Sequence, residues 1–566
     1  MPGWRQRAQA PERFRSRSPP ERDVLFGIPR SVLAWLKNWG WGKADAASIA
    51  RLAHVYVEDH DRRHIHPIIL RLASCCSHIK NAHRVVASIV PSLALPPAPI
   101  HIADSFMSSV CLPSELLRWL RETNARRFEQ HLGATPGGIQ SFWEKFLERP
   151  ACSEFWLTHP WLKGRSAADL RYHLPFAIFD DGVPVSEHAS AYCRLFYCLL
   201  GHGIEKETRF LMGTAFSTGN DGADLSWDCI MNDFARLAGP VEAGSWGGVL
   251  LFLGSDLEYV CNKIGVPHYN GTNMCSDCEA NTRGIPFHDF HDDARWRQTL
   301  VSNDRFLQRL RRPLHPLAAH IWFNKWTYRY CTLHMLDHHG CTSIIVGSIL
   351  NEHVSPEHET QALPGNTIDE RIEFLNSDLK GYYSFHDVAN RIPRIKHSNI
   401  NEGELKGNGV KGANTKALVG YAFLLQQRAV NMHNSSKQKH MFKCIESLKA
   451  IYDVLEGAEI ILTDAECILL HKHCTRMGQH YQILGVLHAD LHRWQSKPKL
   501  HYVVAHLASQ AELINPRFVS GYYSESRCGD LAKIYSTSQN GAFHAVVQGT
   551  VLLKDRTHRA IHWRDR

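Results

Sequence analysis

The sequence predicts an α/β chain with a mixed sheet at its core, a long helical stretch interrupting that core, and a helical segment ahead of it. Three observations carry this prediction. Between His173 and Asp256, short apolar runs alternate with turn signals and with one helical pattern. Residues 248–253 are apolar at consecutive positions, as in a strand covered on both faces. On either side of this region apolar residues recur at helical spacing.

Taken in order, residues 1–24 place Arg5, Arg7, Arg13, Arg15, Arg17 and Arg22 among Pro, Gln and Ser. Such a segment has little to bury and reads as a disordered basic tail. A basic arm serves as a nuclear-import signal or a phosphate contact, or is simply solvated. Residues 25–160 read as an N-terminal helical domain. Val32, Leu33, Trp35 and Leu36 lie on one helical face, as do Leu116, Leu117 and Leu120, with a proline-rich break at 91–99. Residues 161–274 form the first part of the core. Strands are expected at 174–180, 191–200 and 208–216, then a helix at 225–237, a strand at 248–253 and a helix from about Leu257. Residues 275–495 are mostly helical, and the resemblance given below implies that they form an insertion. Its Gly/Asn/Lys-rich loop at 393–412 is expected to have a mobile tip. The same resemblance implies that residues 496–566 complete the core with the Glu.

Composition bounds the function. The 566 residues are 44% hydrophobic and 21% charged, which is a globular balance. No apolar run reaches the length of a membrane span, and no apolar core follows the first basic residues. The formal charge of +8 permits a polyanionic partner without requiring one. Sixteen cysteines without framework spacing read as reduced, intracellular thiols. With 36 histidines, no single one counts as a ligand without context.

Two acids end predicted strands. Asp181 closes the first, with Gly182 expected to turn the chain, and Asp256 closes the fourth. If those strands are neighbours, both carboxylates meet at one sheet edge, the topology of a ribonuclease-H-like fold. Hard oxygen ligands of this kind hold Mg²⁺, and a pair of such ions performs phosphodiester cleavage. Acids at strand ends also serve as ordinary turn residues or helix caps.

Four patches, in order, resemble the transposases of CACTA-type DNA elements. They are Phe179-Asp-Asp-Gly-Val-Pro; Asp256 followed by Cys275-Ser-Asp-Cys278; Leu333-His-Met-Leu-Asp-His-His-Gly340 running into Val346-Gly-Ser-Ile-Leu350; and Lys499-Leu-His-Tyr-Val-Val-Ala-His506, then Asn515-Pro, then Tyr523-Ser-Glu-Ser-Arg-Cys-Gly529. The resemblance implies a ribonuclease-H-like core, a helical insertion between Asp256 and Glu525, and a catalytic triad of Asp181, Asp256 and Glu525 binding Mg²⁺ or Mn²⁺. Asp180 is the less fitting substitute for Asp181. Ser526, Arg527 and Cys528 depart from the residues that follow the family's Glu, and the N-terminal helical domain has no counterpart.

Cys275 and Cys278 have the spacing of half a structural zinc site. His334 and His338, at i and i+4, would share one face of a helix and could complete it. His288 and His291 are nearer in sequence but closer together than the usual pair, and the resemblance favours His334. Two simply packed cysteines are the alternative. A redox Cys-x-x-Cys fits less well, because no thioredoxin-like βαβ unit surrounds it.

Candidate phosphate contacts are Arg305, Arg309, Arg311 and Arg312 on one helical stretch, Lys406 and Lys411 in the Gly/Asn/Lys-rich loop, and Lys497 and Lys499 ahead of Glu525, with a solvated surface charge as the alternative for each. No sequence-reading motif is present. The leading expectation is a nuclear transposase-like protein performing metal-dependent cleavage and strand transfer on double-stranded DNA, as a homo-oligomer and away from membranes. A catalytically inactive transposase-derived nucleic-acid-binding protein and a zinc-dependent hydrolase are the other two readings.

Overall fold

The computed structural model describes residues 30–40, 43–76, 81–89, 98–103, 106–123, 125–186, 189–216, 226–242, 245–355, 362–407, 409–489, 493–536, 551 and 554–555. The basic tail at 1–24 lies outside them. Two compact units emerge, one of residues 1–99 with 530–566, the other of 100–529. The first contains the helices Arg30–Gly40, Ala46–Glu58, Pro67–Ala73 and Ala82–Ile89, which bury Val32, Leu36, Ile49, Ala53, Leu72 and Val86 together.

The larger unit is built on a mixed sheet. Its strands are β1 (Ala98–Ala103), β2 (Phe106–Val110), β3 (His173–Ser186), β4 (Ala189–Cys198), β5 (Phe210–Phe216), β6 (Gly247–Ser255) and β7 (Tyr328–Tyr330). They lie in the order β1-β2-β5-β4-β3-β6-β7. The hairpin pairs β3–β4 and β4–β5 are antiparallel, and β3–β6 and β6–β7 are parallel. Numbered from β3, the last five strands have the order 3-2-1-4-5.

Every residue of β6 is buried, because helices cover both faces of the sheet. Phe252 packs on Phe155 of the helix Cys152–Thr158, ring centroids 5.8 Å apart. On the hairpin strands, Phe176 and Phe196 pack on Phe234 of the helix Ser226–Leu237. The β3–β6 ladder slips between Phe176 and Ala177, a bulge at Leu251. Beside it the Leu250 carbonyl accepts from Trp322 Nε1 at 2.7 Å and lies 2.9 Å from His159 Nε2.

The compact units divide the chain at other places than the expected domain limits. Residues 100–160, assigned to the N-terminal helical domain, belong to the sheet unit. There Trp143 Nε1 donates to the His173 carbonyl at 2.8 Å. β7 lies inside the segment assigned to the insertion, since three residues are too few to show a period. Of residues 530–566, the described ones group with the first unit.

Beyond β7 the chain is mostly helical. The helix Cys341–Val354 is buried all round, and Ile368–Phe385, Val419–His433, Ser436–Gly457 and Asp464–Leu487 follow. Thr367 with Glu370, and Thr463 with Glu466, form capping boxes that start two of them. The loop expected to be mobile packs on the buried helix. Leu405 N donates to the Ser343 carbonyl and Ser348 Oγ to the Gly403 carbonyl, both at 2.8 Å. Among the described residues, no helix is long and apolar enough to cross a membrane.

Candidate metal centres

The last pair of the parallel β3–β6 ladder is Phe179 with Gly254. Asp181 and Asp256 each lie two residues beyond it, so the register that aligns the strands also aligns the acids. β3 does not end at Asp181. It runs on to Ser186, pairing Asp181 with Cys193 and Gly182 with Tyr192. The expected turn at Gly182 is therefore absent, and the glycine makes room instead. A Cβ there would sit 3.2 Å from the Tyr192 ring.

Strand alternation separates the adjacent acids. Asp180 is fully buried, with Oδ2 3.4 Å from Arg194 Nε and accepting from Tyr259 OH at 2.6 Å. It is structural. Asp256 caps the turn that follows β6, accepting the Tyr259 N–H. Glu525 comes from the first turn of the helix Tyr522–Ser536. Burial, then the charges of Asp256 and Glu525, push the Asp181 carboxyl well above the usual range, against the pull of His334. Burial also raises Asp256, while the Tyr259 N–H and His334 lower it. The three acids from distant parts of the chain thus share one electrostatic field.

His334 belongs to this cluster. Its Nε2 lies 2.9 Å from Glu525 Oε1, and its Nδ1 lies 3.3 Å from Cys331 Sγ. Burial opposes its charge, but Cys331 and Glu525 hold its pKa well above that of an ordinary histidine. The expectation that His334 and His338 complete a zinc site with the cysteines is corrected. His338 stacks edge-on to His334, ring centroids 5.5 Å apart, and burial lowers its pKa.

The cysteines meet two other histidines. Cys275, Cys278, His501 and His506 are all buried, with one donor atom from each within 4.8 Å of the others. Cys275 Sγ is 3.1 Å from His506 Nε2, and Cys278 Sγ is 3.3 Å from His501 Nε2. Tetrahedral zinc with bonds of about 2.3 Å to sulfur and 2.0 Å to nitrogen spaces such atoms roughly 3.5 Å apart, so the set fits. The surroundings fit as well. The N–H groups of Asp277 and Ala280 point at the two sulfurs at 3.4 Å, and His501 Nδ1 is 2.9 Å from the Phe287 carbonyl. A hydrogen bond from Cys275, then bonds from His501 and His506, bring the Cys278 thiol down to about 2, while burial raises Cys275. The group could bind a metal such as zinc.

The histidine pair escapes a helical spacing rule for a physical reason. Around an α-helix, i and i+5 are roughly 140° apart. His501 and His506 flank and enter a π-helical turn, Val503–Leu507, whose hydrogen bonds run from i to i+5. The same kind of turn, Leu333–Asp337, carries His334. A sequence search for His-x₄-His beside Cys-x-x-Cys is the signal that would have found the set.

Four of the candidate phosphate contacts, Arg309, Arg311, Lys497 and Lys499, are engaged within the chain. Arg309 Nη1 donates to the Cys278 carbonyl at 3.1 Å, and its side chain is mostly buried. Arg311 donates to the Asn262 carbonyl. Lys497 pairs with Glu404 at 2.7 Å. Lys499 Nζ donates to the His338 carbonyl at 3.0 Å, close enough to Asp256 to feel its charge. Arg312 is exposed.

No protein-family model matches this chain, and no curated protein is significantly similar to it.

Proposed function

We propose that the sheet is a ribonuclease-H-like core and that Asp181, Asp256 and Glu525 form a divalent-metal site for cleaving and transferring DNA strands, the chemistry of a transposase. The observation that carries this reading is two carboxylates, each two residues past the last pair of adjacent parallel strands, with a third, from a helix far along the chain, close enough for its charge to act on Asp181. Strand order 3-2-1-4-5 with helices on both faces supports it. So does the raised Asp181: a carboxyl whose charge is opposed by neighbouring acids is one that a bound cation would help to ionise.

Bound Mg²⁺ would activate a water or a 3′-hydroxyl and stabilise the charge on the leaving oxygen. Asp181, Asp256 and Glu525 would hold the metal. The Cys275–Cys278–His501–His506 set would act structurally. Four buried protein donors leave no open position for substrate, which argues against a zinc hydrolase. The zinc would fasten the Cys275 turn to the segment that leads to Glu525.

The test is Asp256→Asn. Mg²⁺-dependent nicking of duplex DNA should vanish while the protein stays folded and keeps its zinc. Unchanged nicking removes the proposal. A non-catalytic DNA-binding protein on the same scaffold is the second reading, favoured by His334 already lying against a Glu525 oxygen. Wild-type protein that binds DNA without Mg²⁺-dependent nicking would establish it.

A further inference from the structure

The segment from Cys331 to Asp337 meets the segment from Gly521 to Glu525 at three successive points. Cys331 Sγ accepts the Gly521 N–H at 3.0 Å. His334 Nε2 lies 2.9 Å from Glu525 Oε1. One turn further on, Asp337 Oδ2 accepts Tyr522 OH. His334 and Asp337 are i and i+3 on one turn, and Tyr522 and Glu525 are i and i+3 on the other. The last two contacts therefore pin the two elements at matched intervals.

Asp337 is almost wholly inaccessible, and its other oxygen, Oδ1, accepts Tyr452 OH from the insertion helix Ser436–Gly457. That hydroxyl also lies 2.6 Å from Thr342 Oγ1 on the buried helix Cys341–Val354. Lys416 Nζ lies over both rings, 5.6 Å from the centre of Tyr452 and 5.3 Å from that of Tyr522. A carboxylate satisfied by two phenols from different elements fixes their relative position more tightly than apolar packing does, because each hydrogen bond has a narrow angular range.

We propose that Asp337 and Tyr522 are positioning residues for the acid site: they set the rotation of the Glu525 helix, and so the place of its carboxylate, against the helical insertion. The inference rests on reading Asp181, Asp256 and Glu525 as metal ligands. It adds that the insertion helix bearing Tyr452 takes part in assembling that site.

The probe is Mn²⁺, with bound ion measured by electron paramagnetic resonance on the full chain. Tyr522→Phe removes one hydroxyl and leaves the ring in place. It should weaken Mn²⁺ binding roughly tenfold, the scale on which groups supporting a ligand act. The Mg²⁺ concentration for half-maximal nicking should rise in step, and the rate at saturating metal should recover. Asp337→Asn should act in the same direction. Zinc content and cooperative unfolding should stay as in the wild type, which separates positioning from a general loss of structure. If Asp337→Asn does not fold, Tyr522→Phe decides. Wild-type Mn²⁺ affinity in Tyr522→Phe, beside abolished binding in Asp256→Asn, overturns the positioning role alone. Unaltered binding in Asp256→Asn overturns the acid site and this inference with it.

Discussion

Asp181 and Asp256 stand at equivalent places on parallel neighbours, each two residues past the Phe179–Gly254 pair that ends their ladder. This register puts two half-buried acids near each other and makes Asp181 hard to ionise. Adjacent Asp180 faces away and is held by Arg194 and Tyr259.

The two neighbouring aspartates should therefore separate stability from metal binding. Asp180→Asn breaks a buried ion pair and should cost about 3 kcal/mol in denaturant unfolding. The three-acid site should still take up Mn²⁺. Asp181→Asn should do the reverse, raising the metal-free melting temperature by removing a carboxyl that resists ionisation on folding, and lowering nicking by about a hundredfold or more. Equal effects of the two substitutions on Mn²⁺ uptake would contradict this assignment.

Zinc content distinguishes the histidines. Purified protein should carry one zinc per chain by elemental analysis. His506→Ala and Cys275→Ser should lose it and unfold at lower temperature. His334→Ala and His338→Ala should retain it. Loss of zinc in either of the last two would restore the ligand set expected from helical spacing.

Gly521 has no room for a side chain. A Cβ would lie 2.9 Å from Cys331 Sγ, 3.3 Å from the Phe179 ring and 3.4 Å from Glu525 Oε1. Gly521→Ala should cost about 1–3 kcal/mol by overpacking. Because the displaced atoms include a proposed metal ligand, Mn²⁺ affinity should fall as well. A stability loss with unchanged affinity would mean that the helix absorbs the strain elsewhere.

Asp337 adds a pH dependence. Burial raises it from 3.8 to about 7, although Tyr452, Tyr522 and Lys416 pull it down. The folded form then holds a proton that the unfolded form releases. Its contribution is fully present below about pH 4 and is lost as pH rises through about 7. Asp337→Asn should flatten the fall in unfolding free energy between those limits. A wild-type slope retained in the variant would assign the titration to another group.

Arg309 should affect the zinc turn rather than DNA. Its guanidinium supports the Cys278 carbonyl, so Arg309→Ala should speed zinc loss to a chelator. The slope of DNA affinity against salt should not change. A slope reduced by about one would make it a phosphate contact after all.

Much of the core was legible in the chain because its signals are local. Three strands, the helix at Ser226–Leu237 and the apolar run of β6 lie close to where periodicity places them. Cys275 and Cys278 announce themselves by spacing, and Asp181 and Asp256 by their place after apolar runs. Tertiary structure alone decided the rest. β7 is too short to have a period, and the strand register, not a turn at Gly182, aligns the acids. Which histidines reach the thiols depends on a π-helical turn that an α-helical rule cannot anticipate. Pattern along a chain reports which face of an element is apolar. Which ionisable groups come together depends on register, helix rotation and contacts between residues hundreds of positions apart, and those are settled only when the core packs.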